Sequence, residues 1–118
     1  MSIRRINANI PSCDIDKSKA FYLDFLGMKL VMDMQWILTF ASVSNPTAQV
    51  SIVKTDKSVN VETGITLTIE IDGIDEMYAK AISLGLKIVY PITDEVWGVR
   101  RFGMTDPNGV VINLMCHL

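Results

Sequence analysis

The sequence predicts an α+β protein made of two paired βαβββ modules whose curled sheets surround a concave cavity. Three observations carry that prediction. Short runs of alternating apolar and polar residues are interrupted by two passages of helical spacing, at 15–25 and about 73–84. The order strand, helix, strand, strand, strand occurs twice. Segments of the two halves can also be laid over each other. Phe25-Leu26-Gly27-Met28-Lys29-Leu30-Val31 matches Ser83-Leu84-Gly85-Leu86-Lys87-Ile88-Val89, Ile15-Asp16 matches Ile74-Asp75, Trp36 matches Trp97, and Asn45-Pro46 matches Asp106-Pro107. A period of about 60 residues is longer than solenoid repeats, and two copies are too few for an array. Duplication within a single domain, 1–118, accounts for the pattern, with modules at 1–54 and 64–118 and a connector at 55–63.

The elements follow in order. Residues 3–10 alternate, with Ile6, Ala8 and Ile10 on one face and Arg5, Asn7 and Asn9 on the other, until Pro11 and Ser12 interrupt. Asp14 is placed to cap a helix whose apolar side carries Ala20, Phe21, Phe25 and Leu26, and Gly27 suits the left-handed position that ends it. Strands follow at 28–34, 36–41 and 48–54, the last two separated by the Asn45-Pro46-Thr47 turn. The polar stretch 55–63 reads as the connector. The second module opens on the cleanest half-buried strand, where Ile65, Leu67, Ile69 and Ile71 alternate with Thr66, Thr68 and Glu70. A helix from Asp72 or Gly73 to about Leu84 carries Ile74, Met77, Ala81 and Leu84 as its apolar stripe, and Gly85 ends it. Residues 86–90 form a strand, 91–95 a turn region, and 97–104 another strand. Asp106-Pro107-Asn108-Gly109 is a turn, because proline presets φ, aspartate bonds the backbone ahead of it and glycine accepts positive φ. The closing strand, 110–114, is β-branched and apolar except for the amide of Asn113.

Composition narrows the function classes. With 118 residues, 49% apolar and 20% charged, the chain can bury a real core. A net charge of −2 speaks against a nucleic-acid partner. No apolar run approaches the roughly 18–20 residues of a membrane helix, and the N-terminus lacks the apolar core of a secretory signal. Cys13 and Cys116 form no C-x-x-C motif and suit free thiols in a reducing cytoplasm. His117 is the only histidine, so no Ser/His/Asp or Cys/His constellation is available, and no Gly-rich loop stands ready for phosphate.

The stretches Asp14-Ile15-Asp16-Lys17-Ser18-Lys19-Ala20-Phe21-Tyr22, Ile71-Asp72-Gly73-Ile74-Asp75 and Trp97-Gly98 with Arg101-Phe102 and Asp106-Pro107-Asn108-Gly109 come in one order on the paired pattern. Together they resemble the vicinal oxygen chelate superfamily, the glyoxalase, bleomycin-resistance and dioxygenase proteins. The opening Asn9-Ile10-Pro11-Ser12 is similar to the bleomycin-resistance branch. The resemblance implies that fold, a homodimer and a small-molecule ligand. For the metal-dependent members it also implies histidines on the first and fifth strands and a glutamate on the eighth. Those positions fall here on Asn7, Thr66 and Asn113, with a further one near Gln49 or Ser51. Neutral amides and hydroxyls are poor ligands for zinc, iron or manganese, so neither a metal nor another cofactor is expected.

The expected ligand site is therefore the open face of the sheets: Asn7, Asn9, Thr66, Thr68 and Asn113 as polar groups, and Trp36, Trp97 and Phe102 as aromatic walls. Tyr90 lies near the same rim. Both tryptophans also suit a core or a dimer interface. Arg100 and Arg101 must point to opposite faces, and Arg101 is taken as the one that enters the cavity, where its fork suits a carboxylate or phosphate. Glu70 is the one carboxylate with cavity-facing parity, and burial there would suit a general base. The leading expectation is a metal-independent protein that sequesters an aromatic or amphipathic compound, an antibiotic among the candidates. The alternatives are a metal-independent lyase or isomerase using Glu70, or a metal-dependent enzyme with atypical ligands.

Overall fold

The computed structural model describes residues 1–56 and 65–118, so the expected connector at 55–63 lies almost wholly outside the described residues. The chain forms two compact units, residues 1–60 and 61–118. Each carries one four-stranded sheet, and no described helix is long and apolar enough to cross a membrane.

In the first unit, β1 (Ile6–Ser12) leads into α1 (Ile15–Lys19), which continues as a π-helical turn, Ala20–Phe25. β2 (Lys29–Asp33), β3 (Ile37–Ala41) and β4 (Ala48–Lys54) follow, and the sheet order is β1-β4-β3-β2 with β1 parallel to β4. Asp14 caps α1 by accepting from the Lys17 amide at 3.1 Å. The π-helical turn, marked by the Leu26 amide donating to the Phe21 carbonyl, brings the adjacent Phe21 and Tyr22 together with Phe25 into the core. Tyr22 stacks on Phe40 of β3, with Leu38, Val50 and Ile52 buried around them. Pro11 does not end β1 as expected. On an edge strand its missing N–H can face away from β4, so the ladder continues through it to Ser12.

The second unit repeats the plan: β5 (Thr66–Glu70), α2 (Ile74–Ser83), β6 (Ile88–Asp94), β7 (Val99–Thr105) and β8 (Val111–His117), in the order β5-β8-β7-β6. β5 is parallel to β8. Gly27 and Gly85 end their helices as expected, each with a left-handed φ of 69°. α2 packs on β6, β7 and β8, and its core contacts differ from the expected stripe. Ile74 and Ala81 are buried, Leu84 is exposed, and Tyr78 takes part by meeting Phe102 edge-on at 4.9 Å.

Three boundaries depart from expectation. The 91–95 stretch is mostly strand, because β6 is an edge strand and absorbs Pro91 within the register shift between Tyr90 and Thr93. Trp36 and Trp97 precede β3 and β7, in hairpin turns closed by Met34 donating to Ile37 O and by Glu95 donating to Val99 O. β8 runs past Leu114 to His117, and Leu118 still donates to the Gly98 carbonyl. The Asp106 turn forms as read: its Oδ1 accepts from the Asn108 and Val110 amides, and Gly109 has φ of 89°.

Candidate functional site

Strand parity decides which side chains meet on the open face of the second sheet. In β7, Arg100, Phe102 and Met104 turn toward the α2 side, which leaves Val99, Arg101 and Gly103 on the other. In β8 the same rule leaves Asn113, Met115 and His117 on the open face, and register sets Thr68 of β5 opposite Asn113. The result is a concave pocket of about 290 Å3 lined by Thr68, Trp97, Val99, Arg101, Asn113 and Met115.

At its centre stands Arg101. Its Nη1 donates to Asn113 Oδ1 at 3.1 Å and its Nε to Glu95 Oε2 at 3.4 Å, while the guanidinium lies over the Tyr90 ring, 4.1 Å from its centroid. Tyr90 in turn donates its hydroxyl to Glu95 Oε1 at 2.9 Å. Asn113 completes the chain by donating Nδ2 to Thr68 Oγ1 at 3.4 Å. Glu95 is deep behind the pocket, its side chain 10% exposed against 27% for Arg101. The guanidinium is thus tied on three sides, and Nη2 keeps no partner among the described residues.

Arg100, on the opposite face, is a structural cation. It forks onto Asp94 at 2.6 and 3.1 Å and reaches Asp75 at the start of α2 at 2.8 Å. Those hydrogen bonds and charges raise the Arg100 pKa and hold the Asp94 carboxyl below its usual range.

The candidate residues separate accordingly. Thr68, Trp97, Arg101 and Asn113 meet in the pocket. Phe102 does not belong there. It is fully buried on the α2 side, as strand parity with its neighbour Arg101 demands. Thr66 is exposed and registers opposite Val111, two residues from Asn113's partner. Glu70 lies at the end of β5, its side chain 66% exposed beside His117 at 3.7 Å, so the burial that would suit a general base is missing. His117 is the last residue of β8, with its side chain 68% exposed.

Asn7, Asn9 and Trp36 belong to the first unit. Asn7 donates to Ser51 Oγ at 2.8 Å, and Ser51 shares a hydrogen bond with Thr39 at 2.7 Å. Asn7 Oδ1 is buried with no hydrogen-bond partner among the described residues. Asn9 is exposed, and Trp36 is 58% exposed in its turn. Sequence reading missed Val99, Met115 and Glu95. Met115 follows from extending the parity of Asn113 by two residues, but no local signal marks Glu95.

The same geometry tests the metal ligands implied by the resemblance. The register pairs Asn7 with Gln49, Thr66 with Val111 and Asn113 with Thr68, so the implied positions hold only neutral amides and hydroxyls. Asn113 Oδ1 already accepts from a fixed guanidinium, and a divalent ion beside it would meet like charge. Among the described residues no three histidine, cysteine, aspartate or glutamate side chains gather as ligands. This donor set does not fit a divalent metal.

The chain belongs to the glyoxalase/bleomycin resistance protein/dioxygenase superfamily, whose family model matches residues 3–114. Solved structures of the same fold agree. A superfamily member from Sphaerobacter thermophilus DSM 20745 is 25% identical, with 98% of each chain covered and a TM-score of 0.80. A protein of unknown function from Agrobacterium tumefaciens str. C58 is 23% identical, with 100% of this chain and 97% of that one covered and a TM-score of 0.80. The bleomycin resistance determinant encoded on transposon Tn5 is 19% identical, with 98% of each covered and a TM-score of 0.76. Among curated proteins, none matches the chain in sequence.

Proposed function

We propose that this protein binds a small aromatic or amphipathic compound in the pocket of its second unit, without a metal and without transforming it. It would act by sequestration, and antibiotics are one class of compound with that chemistry. The observation that carries the reading is the pre-tied Arg101, held by Asn113, Glu95 and Tyr90 beside the indole of Trp97. A site whose polar groups are fixed before the ligand arrives spends little on ordering them, which favours affinity. The lining holds no carboxylate or imidazole to move a proton, which supports binding rather than turnover.

Trp97 is 65% exposed, so a ligand stacked on it will change its emission. Metal-stripped protein titrated with aromatic antibiotics and metabolites should show saturable quenching that persists in chelator and weakens in Trp97→Ala. A response that appears only after zinc, manganese or iron is added would sink the metal-independent reading. For the assembly we propose a homodimer in a reducing cytoplasm. The exposed apolar run Val31, Met32, Met34 and Trp36 supports the first, and the unpaired Cys13 and Cys116 support the second. A monomer mass by sedimentation equilibrium at all concentrations would remove the dimer.

A further inference from the structure

We infer that the pocket of the second unit selects aromatic anions: a flat body of one or two rings carrying a carboxylate or similar oxyanion, with Arg101 as the anchor. The inference rests on the binding reading above and specifies what that site takes. Charge is its first support. Of the six lining residues only Arg101 is charged. Of the two acids nearby, Glu95 has Oε1 engaged by Tyr90 and Oε2 by Arg101, and Glu70, opposite Met115 at the end of β5, is 66% exposed beside His117 and outside the lining. A cationic ligand would meet a fixed positive charge and find no anion in the lining to answer its own.

Donor accounting is the second support. Arg101 commits Nε and Nη1 and keeps the Nη2 hydrogens free. Thr68 accepts from Asn113, so its own hydroxyl hydrogen remains to be given. Both residues bond Asn113 from either end of its amide, and the proposed oxyanion would accept from Arg101 and, where its reach allows, from Thr68. Shape is the third. Trp97, Val99 and Met115 form the apolar part of the lining. The volume of about 290 Å3 sits at the lower end of small-molecule pockets and has room for a body of one or two rings.

The test compares three ligands of one shape by isothermal titration calorimetry on the full chain: 2-naphthoate, neutral 2-naphthamide and cationic 2-naphthylmethylamine. Naphthoate should bind at least about tenfold more tightly than the amide, and the amine least of all. In Arg101→Gln the ratio of acid to amide affinity should fall to near one, through a loss of about 10- to 100-fold for the acid. Arg101→Lys should recover part of that ratio, since it keeps charge but not the fork. Equal affinity for acid and amide in the wild type, or an Arg101→Gln variant that keeps the ratio, overturns the anion inference while the binding reading stands. So does the absence of all three ligands from a protein whose tryptophan emission other compounds quench. If no compound quenches either, both fall.

Discussion

Replacing Glu95 by glutamine isolates the charge that holds Arg101 in place. The two groups lie 3.4 Å apart, with side chains 10% and 27% exposed. At that separation opposite unit charges attract by roughly 5 kcal/mol at an effective dielectric near 20, and by about 1 kcal/mol in water. Part of the larger figure is cancelled by the desolvation both groups have already suffered. Glutamine keeps the shape and an oxygen for the Tyr90 hydroxyl, so the hydrogen bond at 2.9 Å survives the change. What remains is the loss of one charge beside a guanidinium that stays two-thirds or more covered, and a net cost of about 1–3 kcal/mol follows. Urea unfolding followed by circular dichroism reads this as a midpoint lowered by about 1 M with the slope unchanged. A double-mutant cycle with Arg101→Gln should return most of the cost as coupling. A variant within about 0.3 kcal/mol of the wild type would place the pair among ordinary surface ion pairs. The pre-tied anchor would then lose its physical basis.

Two further outcomes follow from the opposite face of the same sheet. Arg100 holds the Asp94 carboxyl below its ordinary value, so Asp94 binds its proton more readily in the unfolded chain, and its contribution is complete above the unfolded value near 4. That contribution disappears as pH falls through the lower folded value; Asp94→Asn should therefore flatten the acid limb of the melting-temperature profile below about pH 4, and an unchanged limb would refute the ion pair's role. Phe102→Ala should cost about 3–5 kcal/mol by opening a cavity against Tyr78, and a cost below about 1 kcal/mol in urea unfolding would contradict its placement under α2.

Much of this architecture is legible in the residues because duplication states each signal twice. Gly27 and Gly85 mark helix ends at matching places, and Trp36 and Trp97 mark the same hairpin. Where the reading failed, a tertiary fact overrode a local rule. Pro11 and Pro91 are strand breakers anywhere except on an edge, and strand order, which sets the edges, is a long-range property. Alternation separates Arg100 from Arg101, and the ties of Arg100 to Asp75 at the start of α2 show which of them leaves the open face. The same rule, applied one residue further, assigns Phe102 to the core. Alternation puts Thr66 and Thr68 on one face, and only register against β8 tells that Thr68 stands opposite Asn113. Glu95 was invisible for a different reason: its partners, Tyr90 and Arg101, come from two strands across a hairpin, and no spacing rule joins them.

The two sheets carry one plan and two chemistries, and register shows where they part. Ile37 pairs with Val53 as Val99 pairs with His117, so Thr39 opposite Ser51 corresponds to Arg101 opposite Met115. One step further, Ala41 opposite Gln49 corresponds to Gly103 opposite Asn113. In the first unit these positions close on themselves: Thr39, Ser51 and Asn7 share hydrogen bonds among small neutral groups. In the second, the threonine position holds an arginine that reaches across to Asn113 and needs a carboxylate behind it. The carboxylate comes from Glu95, in the hairpin that also carries Trp97. One substitution in a repeated framework thus calls for a second, and the pair leaves a guanidinium facing outward beside an indole. Its ties to Glu95, Asn113 and Tyr90 contribute to the fold, yet they leave Nη2 without a partner among the described residues. The cost of ordering Arg101 is explained if a ligand completes its hydrogen bonds.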